Sequence, residues 1–136
     1  MKAPIFLSLC MVLTVSCGDP DTIERSKVAA AQKQISLFGI SLTSFAEDCG
    51  RYPTSTEGLK ALIERPGGVL VERWHGPYFE LIPQDPWAHD YVYRCPGTHS
   101  TNHFDLYSYG PDGISRTGGD DLDDVNSWKP KPGLPH

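Results

Sequence analysis

The sequence predicts an α+β fold in which one long N-terminal helix packs on a small antiparallel β-sheet, followed by a loop-rich C-terminal part. Three observations predict it. An apolar stripe with helical spacing runs from Val28 to Cys49, and two runs with a period of two follow at residues 91–95 and 104–109. The 13 glycines and 12 prolines among 136 residues place much of the remainder in turns. A chain of this length forms one compact domain and is too short for two.

The first residues are typical of a secretory signal. One positive charge at Lys2 precedes an apolar run over residues 5–15 that is too short to span a bilayer. The segment 13–17, LTVSC, resembles the lipobox of bacterial lipoproteins. That resemblance implies that residues 1–16 are removed and that Cys17 carries diacylglycerol, with acyl chains such as palmitate holding the protein on a membrane. The alternative is an ordinary signal peptide whose cysteine pairs elsewhere.

The long helix is predicted from about Asp21 to Asp48. Asp21 or Thr22 can cap its start, and Gly50 ends it. Because the apolar stripe lasts only about three heptads without regular flanking charge pairs, we expect it to face a sheet and not a coiled-coil partner. The stripe consists of residues at alternating spacings of three and four: Val28, Ala31, Ile35, Phe38, Leu42, Phe45 and Cys49.

A short second helix is predicted after a capping box. Glu57 lies three residues after Thr54, ahead of apolar residues at 59, 62 and 63, and the Pro66–Gly68 segment stops the helix.

Three runs of aromatic and β-branched residues predict extended structure at 78–81, 91–95 and 104–109. The last two alternate as half-buried strands do, and the polar segment 96–102 joins them as a hairpin. From Gly110 to Trp128 no periodicity is visible. We therefore expect a linker at 17–26, a globular domain at 27–128 and a flexible polar tail at 129–136.

Two cysteines remain once the signal is removed and Cys17 carries lipid. Cys49 and Cys95 would lie in a compartment that permits disulfides, and closing a loop of this size contributes on the order of 3 to 4 kcal/mol. We predict a Cys49–Cys95 disulfide, with two buried free thiols as the alternative.

The balance of charge excludes two classes of partner. Twelve Lys and Arg against 17 Asp and Glu give a net charge of −5, the wrong sign for capture of nucleic acid or of an anionic membrane surface.

The C-terminal loop concentrates acidic residues around a single base, Arg116. Carboxylates crowded in this way destabilise a loop unless a cation sits among them, and Ca²⁺ takes six to eight oxygen ligands from carboxylates and backbone carbonyls. The spacing is not that of an EF-hand. Composition alone leaves a calcium site and a solvated acidic loop both open. The acids are Asp105, Asp112, Asp120, Asp121, Asp123 and Asp124.

A series of motifs resembles the C-terminal domain of the type II secretion major pseudopilin. The match runs in the same order from about residue 27 to 128 and implies a pilin-like fold with calcium bound in the final loop. The resemblance carries ligand roles to Asp112, Asp123 and Asp124, and less directly to Leu106 and Ser108, with Asp120 and Asp121 as alternates. The motifs are Arg51-Tyr52-Pro53-Thr54, Glu57-Gly58-Leu59, Gly76-Pro77-Tyr78, Asp85-Pro86-Trp87, the run from Phe104 to Gly113, and Asp123-Asp124-Val125 before Trp128.

The N-terminal residues differ from that family's pattern of basic leader, Gly-Phe cleavage site, glutamate and long apolar half-helix. Since the apolar half-helix supplies most subunit contacts in a fibre, we expect a lipid-anchored head in the cell envelope, on the periplasmic or outer-membrane side, and not a fibre subunit. Its partners would be other envelope or secretion-system proteins, with no nucleic acid.

An enzyme is the alternative function. A small hydrolase or ligand-binding enzyme could use the acidic loop with His99 or His103, but no nucleophile motif or phosphate-binding loop is visible, so we expect no catalysis. The spacing of the two histidines could also suggest zinc, although we expect both to face solvent from the hairpin loop.

Overall fold

The computed structural model describes residues 18–129. Helix α1 spans Pro20–Cys49 and is followed by a 3₁₀ helix, Leu59–Leu62. Three strands complete the fold: β1 (Val92–Arg94), β2 (Asp105–Ser108) and β3 (Val125–Asn126). This confirms the predicted α+β fold. Cys17, the signal segment and residues 130–136 of the predicted tail lie outside the described residues.

Helix α1 forms where the apolar stripe predicted it. Pro20 occupies the first turn, where its missing N–H costs nothing, and Gly50 closes the helix in a left-handed conformation with its N–H on the Ala46 carbonyl at 2.8 Å. Along residues 18–129 no helix is both long and apolar enough to cross a membrane. The buried face consists of Ala31, Ile35, Phe38, Ser41, Leu42 and Phe45.

The sheet is antiparallel with strand order β1-β2-β3. Tyr93 pairs with Leu106 in the predicted hairpin, which is therefore confirmed. Ser108 pairs with Val125 of β3, a strand of two residues that is too short to show a period and was not predicted.

The prediction of extended strand structure at residues 78–81 is wrong. The N–H groups of Tyr78 and Phe79 both donate to the Leu62 carbonyl, at 2.7 and 3.2 Å, and the Tyr78 carbonyl accepts from Ser41 Oγ at 3.2 Å. The segment is thus a loop held across α1, and its aromatic residues are explained by packing: the rings of Phe38 and Phe79 lie 4.8 Å apart.

The capping box is confirmed, although the helix after it is a single 3₁₀ turn. Glu57 N–H donates to Thr54 Oγ1 at 3.2 Å, and Thr54 N–H donates to Glu57 Oε2 at 2.8 Å. Arg51 adds two hydrogen bonds to the same carboxylate, at 2.7 and 2.8 Å. This bidentate contact is the main reason that the pKa of Glu57 falls to about 2.

The predicted Cys49–Cys95 disulfide does not form in the structure. Both cysteines are half-buried free thiols. Each is held by a different neighbour. Cys49 Sγ lies 3.9 Å from the Arg73 carbonyl, whereas the N–H and carbonyl of Cys95 both bond Ser55 Oγ, at 2.9 and 3.0 Å.

Candidate functional site

The hairpin loop, residues 95–104, folds around the carboxylate of Asp105. This side chain is almost fully buried, and it accepts the N–H groups of Thr98, His99 and Ser100 at 2.8, 3.0 and 3.1 Å. A Cβ at Gly97 would overlap the same carboxylate, so only glycine allows the approach. Burial acts to raise the pKa of Asp105, but the hydrogen bonds from His99 and Thr98 outweigh it and leave the pKa below its ordinary value.

His99 bridges two segments that are distant in the sequence. Its Nδ1 lies 3.0 Å from Asp105 Oδ2 and its Nε2 lies 2.8 Å from Asp120 Oδ2. The ring stacks on Trp128 with centroids 4.0 Å apart and planes at 8°. The hydrogen bond to Asp105 is the main cause of a raised pKa at His99, and Asp120 adds to it. His99 is an exposed residue, as expected, but its imidazole also links the hairpin loop to the chain after β2.

Asp120 is the second anchor of this bridge. Besides His99 it accepts from Lys129 Nζ at 2.8 Å and Trp128 Nε1 at 3.1 Å. These donors, Lys129 first, lower the pKa of Asp120 to about 2. Both oxygens of the Asp120 carboxylate therefore have partners within the protein, and these contacts explain its position without a metal ion.

The terminal loop, residues 109–124, is folded by glycines and by side-chain caps. A Cβ at Gly110 would overlap the Asp123 carbonyl, and Gly110 has a φ of +68°. The Gly110–Gly113 turn therefore lies directly against Asp123. Within that turn Asp112 Oδ1 accepts the Ile114 N–H at 2.9 Å, and the Asp112 residue is exposed.

Asp124 is a buried acid of the terminal loop with only one of its two carboxylate oxygens hydrogen-bonded. The residue is fully buried, and its Oδ2 accepts from Ser115 Oγ at 2.6 Å and from Asp121 N–H at 2.9 Å. Its Oδ1 is buried without a hydrogen-bond partner. Burial raises the pKa of Asp124, and the hydrogen bond from Ser115 only partly offsets this. A buried carboxylate oxygen without a donor is destabilising, and a bound cation or a water molecule would satisfy it.

The remaining predicted ligand positions already have partners inside the protein. The Leu106 carbonyl accepts the Ser127 N–H at 2.9 Å, and the Ser108 hydroxyl donates to Asp85 and accepts the Gly110 N–H at 3.1 Å. Asp121 caps the 116–117 segment by accepting Arg116 N–H at 2.8 Å and Thr117 Oγ1 at 2.7 Å, which lowers its pKa.

The acids are therefore divided between two sites. Asp105 and Asp120 meet at His99, while the other four acids keep to the terminal loop: Asp112, Asp121, Asp123 and Asp124. Between residues 18 and 129 no three His, Cys, Asp or Glu side chains are grouped closely enough to hold a metal ion by themselves.

Sequence reasoning missed Asp85 as a structural centre. Its buried carboxylate accepts the N–H groups of Trp87 and His89 at 3.0 and 2.8 Å, and it also accepts from the Ser108 hydroxyl. It thereby fixes the 85–89 turn to the base of the terminal loop. The Asp-Pro-Trp sequence was the available signal, because aspartate before proline favours a turn that its side chain can cap.

The contacts of the histidines argue against the alternative of a hydrolase. Both ring nitrogens of His99 lie against carboxylates, so neither is available to activate a nucleophile. In the Ser108, Asp85 and His89 cluster the carboxylate lies between the other two, and Ser108 is completely buried. Neither arrangement is that of a serine nucleophile with its base.

Comparisons with known proteins give one consistent result. The family model of type II secretion system (T2SS) protein G matches residues 21–128. Type II secretion system core protein G of Pseudomonas aeruginosa is 36% identical over 108 residues, which cover 77% of this chain and 73% of that protein. The core protein G of Klebsiella pneumoniae is 34% identical over 113 residues, covering 82% and 74%.

A solved structure agrees with the sequence matches. The crystal structure of the major pseudopilin from the type 2 secretion system of enterohaemorrhagic Escherichia coli has a TM-score of 0.66 and 30% identity to this chain, covering 85% of this chain and 93% of that one. The pilin-like arrangement of α1 on the three-stranded sheet is therefore confirmed. By the extent of the family match and the identity to its curated members, this chain belongs to the type II secretion system protein G family.

Proposed function

We propose that this protein is a lipid-anchored, calcium-stabilised and non-enzymatic member of its family that works by contact with other envelope or secretion-system proteins. Calcium would fix the terminal loop, and the lipid on Cys17 would hold the folded domain at a membrane of the cell envelope. The observation that carries the calcium proposal is the buried Asp124 carboxylate with its unpaired Oδ1.

The donors in the loop fit a hard cation. Asp124 would supply its unpaired oxygen, and Asp112 and Asp123 would supply carboxylates from the two segments that Gly110 brings together. Ca²⁺ also accepts backbone carbonyls and water, so it does not need three side chains gathered in advance. When bound it supplies positive charge to an acidic loop, which favours the folded loop over the unfolded chain.

Calcium titration tests the first half of this proposal. We expect Ca²⁺ to raise the melting temperature of the purified protein and to protect residues 110–124 from proteolysis, with chelator reversing both effects. Binding to the folded state at a hundredfold excess over Kd contributes about 2.7 kcal/mol. Asp124→Asn should abolish the response. Asp120→Asn is the matched control, because Asp120 is bonded to His99 and Lys129, and it should keep the full calcium response.

Two results would overturn the calcium proposal. One is a melting temperature and a proteolysis pattern that chelator leaves unchanged. The other is an Asp124→Asn protein that responds to Ca²⁺ as strongly as the unmodified protein.

Metabolic labelling tests the anchor. With radiolabelled palmitate, we expect incorporation into the unmodified protein and none into Cys17→Ser. Cys10→Ser is the control, because Cys10 lies in the expected signal segment and its loss should not change the labelling. Absence of label from all three proteins would instead favour the ordinary signal peptide.

A further inference from the structure

A groove of about 460 Å³ lies between α1 and the hairpin loop. One wall is a stripe of α1 with helical spacing that begins at Gln32 and ends at Thr43 and includes Gly39. The opposite wall includes Tyr52 and Phe104. Neither the calcium proposal nor the lipid anchor uses this groove.

The groove is lined by aromatic, aliphatic and small polar side chains. The Tyr52 and Phe104 rings contact each other edge to face with centroids 5.2 Å apart, and the Tyr52 and His103 rings are 5.7 Å apart. No Lys, Arg, Asp or Glu lines the groove, and Ile40 on its α1 wall is 66% exposed. Such a surface is suited to an apolar or proline-rich segment, because aromatic-lined grooves bind extended proline-rich chains.

The C-terminal end of the described chain lies at one end of this groove. Ser127 lines it, and the neighbouring Asn126 carbonyl accepts from Gln32 Nε2 of α1 at 3.4 Å. The Lys129 N–H donates to Asn126 Oδ1 at 2.7 Å, which keeps the backbone of Lys129 close to the same point. The described chain therefore ends close to the Gln32 and Ser127 end of the groove.

The sequence that follows has suitable length and composition. Residues 130–136 read PKPGLPH, with three prolines and one leucine among seven residues. In a polyproline II conformation, seven residues at about 3.1 Å each extend roughly 22 Å. The α1 wall between Gln32 and Thr43 is roughly 16 Å long at about 1.5 Å per residue. The segment is therefore long enough to lie along the whole groove.

We propose that residues 130–136 dock in this groove as an extended proline-rich strap that covers Ile40 and Tyr52. Docking would require the groove to order this segment. A docked strap would also compete with any partner protein that approaches this face of α1.

Photocrosslinking in the full chain tests the proposal. With p-benzoylphenylalanine in place of Leu134, we expect intrachain crosslinks on residues 32–43 and 100–104, identified by mass spectrometry after digestion. Gly39→Leu should lower their yield at least fivefold, because a Cβ at Gly39 meets no atom within 4 Å and the larger side chain would project into the groove without disturbing the fold. Ala30→Leu, at an exposed position of α1 outside the groove, should leave the yield unchanged.

A second pair of variants keeps the test valid if Gly39→Leu fails to fold. Ile40→Asp places a charge at an exposed groove position and should also reduce the crosslinks, whereas Ala30→Asp should not. The proposal is overturned if crosslinks fall outside the two groove segments or form only between two copies of the chain. It is equally overturned if neither groove variant, each with an unchanged circular dichroism spectrum, lowers the yield.

Discussion

In the first part of the molecule, α1 buries apolar side chains such as Phe38 and Leu42 against the sheet, whereas the hairpin and terminal loops are held largely by aspartates that accept N–H groups. Apolar burial changes little with pH or divalent ions. Hydrogen bonds to carboxylates and to an imidazole depend on the protonation of both partners.

This difference indicates which part of the domain should change in stability with pH and with divalent ions. The helix and its core form a scaffold, and the loops at residues 95–104 and 109–124 carry the charged contacts that conditions can alter. Strand β2 links the two parts, because Leu106 lies in the core while the side chain of Asp105 accepts hydrogen bonds from the hairpin loop. The responsive part is therefore attached directly to the stable part.

The largest effect is expected from breaking the scaffold. Phe38→Ala removes a completely buried ring that contacts Phe79 and Tyr91, and should lower the free energy of unfolding by about 4 kcal/mol, measured by denaturant titration. Leu37→Ala is the control, since Leu37 is 41% exposed, and it should cost less than about 0.5 kcal/mol. The loss should be equal at pH 5 and pH 8. A loss that changes with pH would contradict the separation of the two parts.

The scaffold was also the part that the sequence predicts best. The stripe containing Phe38 has a helical period over many residues, so the bounds of α1 were predicted within one residue at each end. The hairpin was equally visible as two alternating runs. Tyr78 and Phe79 misled the strand prediction, because aromatic residues pack on a helix from a loop as readily as from a strand.

The candidate site was predictable only in part. The acidic composition of the terminal loop located it, and family resemblance selected Asp112, Asp123 and Asp124. Neither signal could show that Asp105 and Asp120 belong to a different site from these three acids. They meet at His99, and Asp120 lies 21 residues after His99 in the sequence, so their contact depends on the tertiary fold. A local sequence pattern carries no information on contacts of that separation.

The next effect in size should come from the centre of the hairpin loop. Asp105→Asn replaces an acceptor of three backbone N–H groups by a neutral amide that cannot satisfy them all, and should cost about 3 kcal/mol of unfolding free energy. Asp90→Asn, at an exposed position, should cost less than about 0.5 kcal/mol. Amide hydrogen exchange should show the loss of protection at residues 98–100 before any in α1. Equal loss in both places would mean that the loop and the scaffold open together.

The smallest effect, and the most specific, is the pH dependence of the His99 bridge. Asp105 and Asp120 raise the pKa of His99, so the bridge stabilises the fold fully below the ordinary histidine value near 6.5. That stability is lost as pH rises through the higher pKa of the folded protein. His99→Gln should therefore lower the melting temperature at pH 5.5 and have little effect at pH 8.5, while His103→Gln serves as the control in the same loop.

A chemical shift titration of the imidazole separates this account from a purely steric role for His99. The bridge requires a His99 pKa above that of an exposed histidine, and the raised value should return toward the ordinary one in Asp120→Asn. If the ring were held only by stacking on Trp128, the Asp120 substitution would leave its titration unchanged, and His99→Gln would destabilise the protein equally at both pH values. The two loops would then be joined by packing, as the scaffold is, and the contrast between the two parts of the molecule would not hold at this contact.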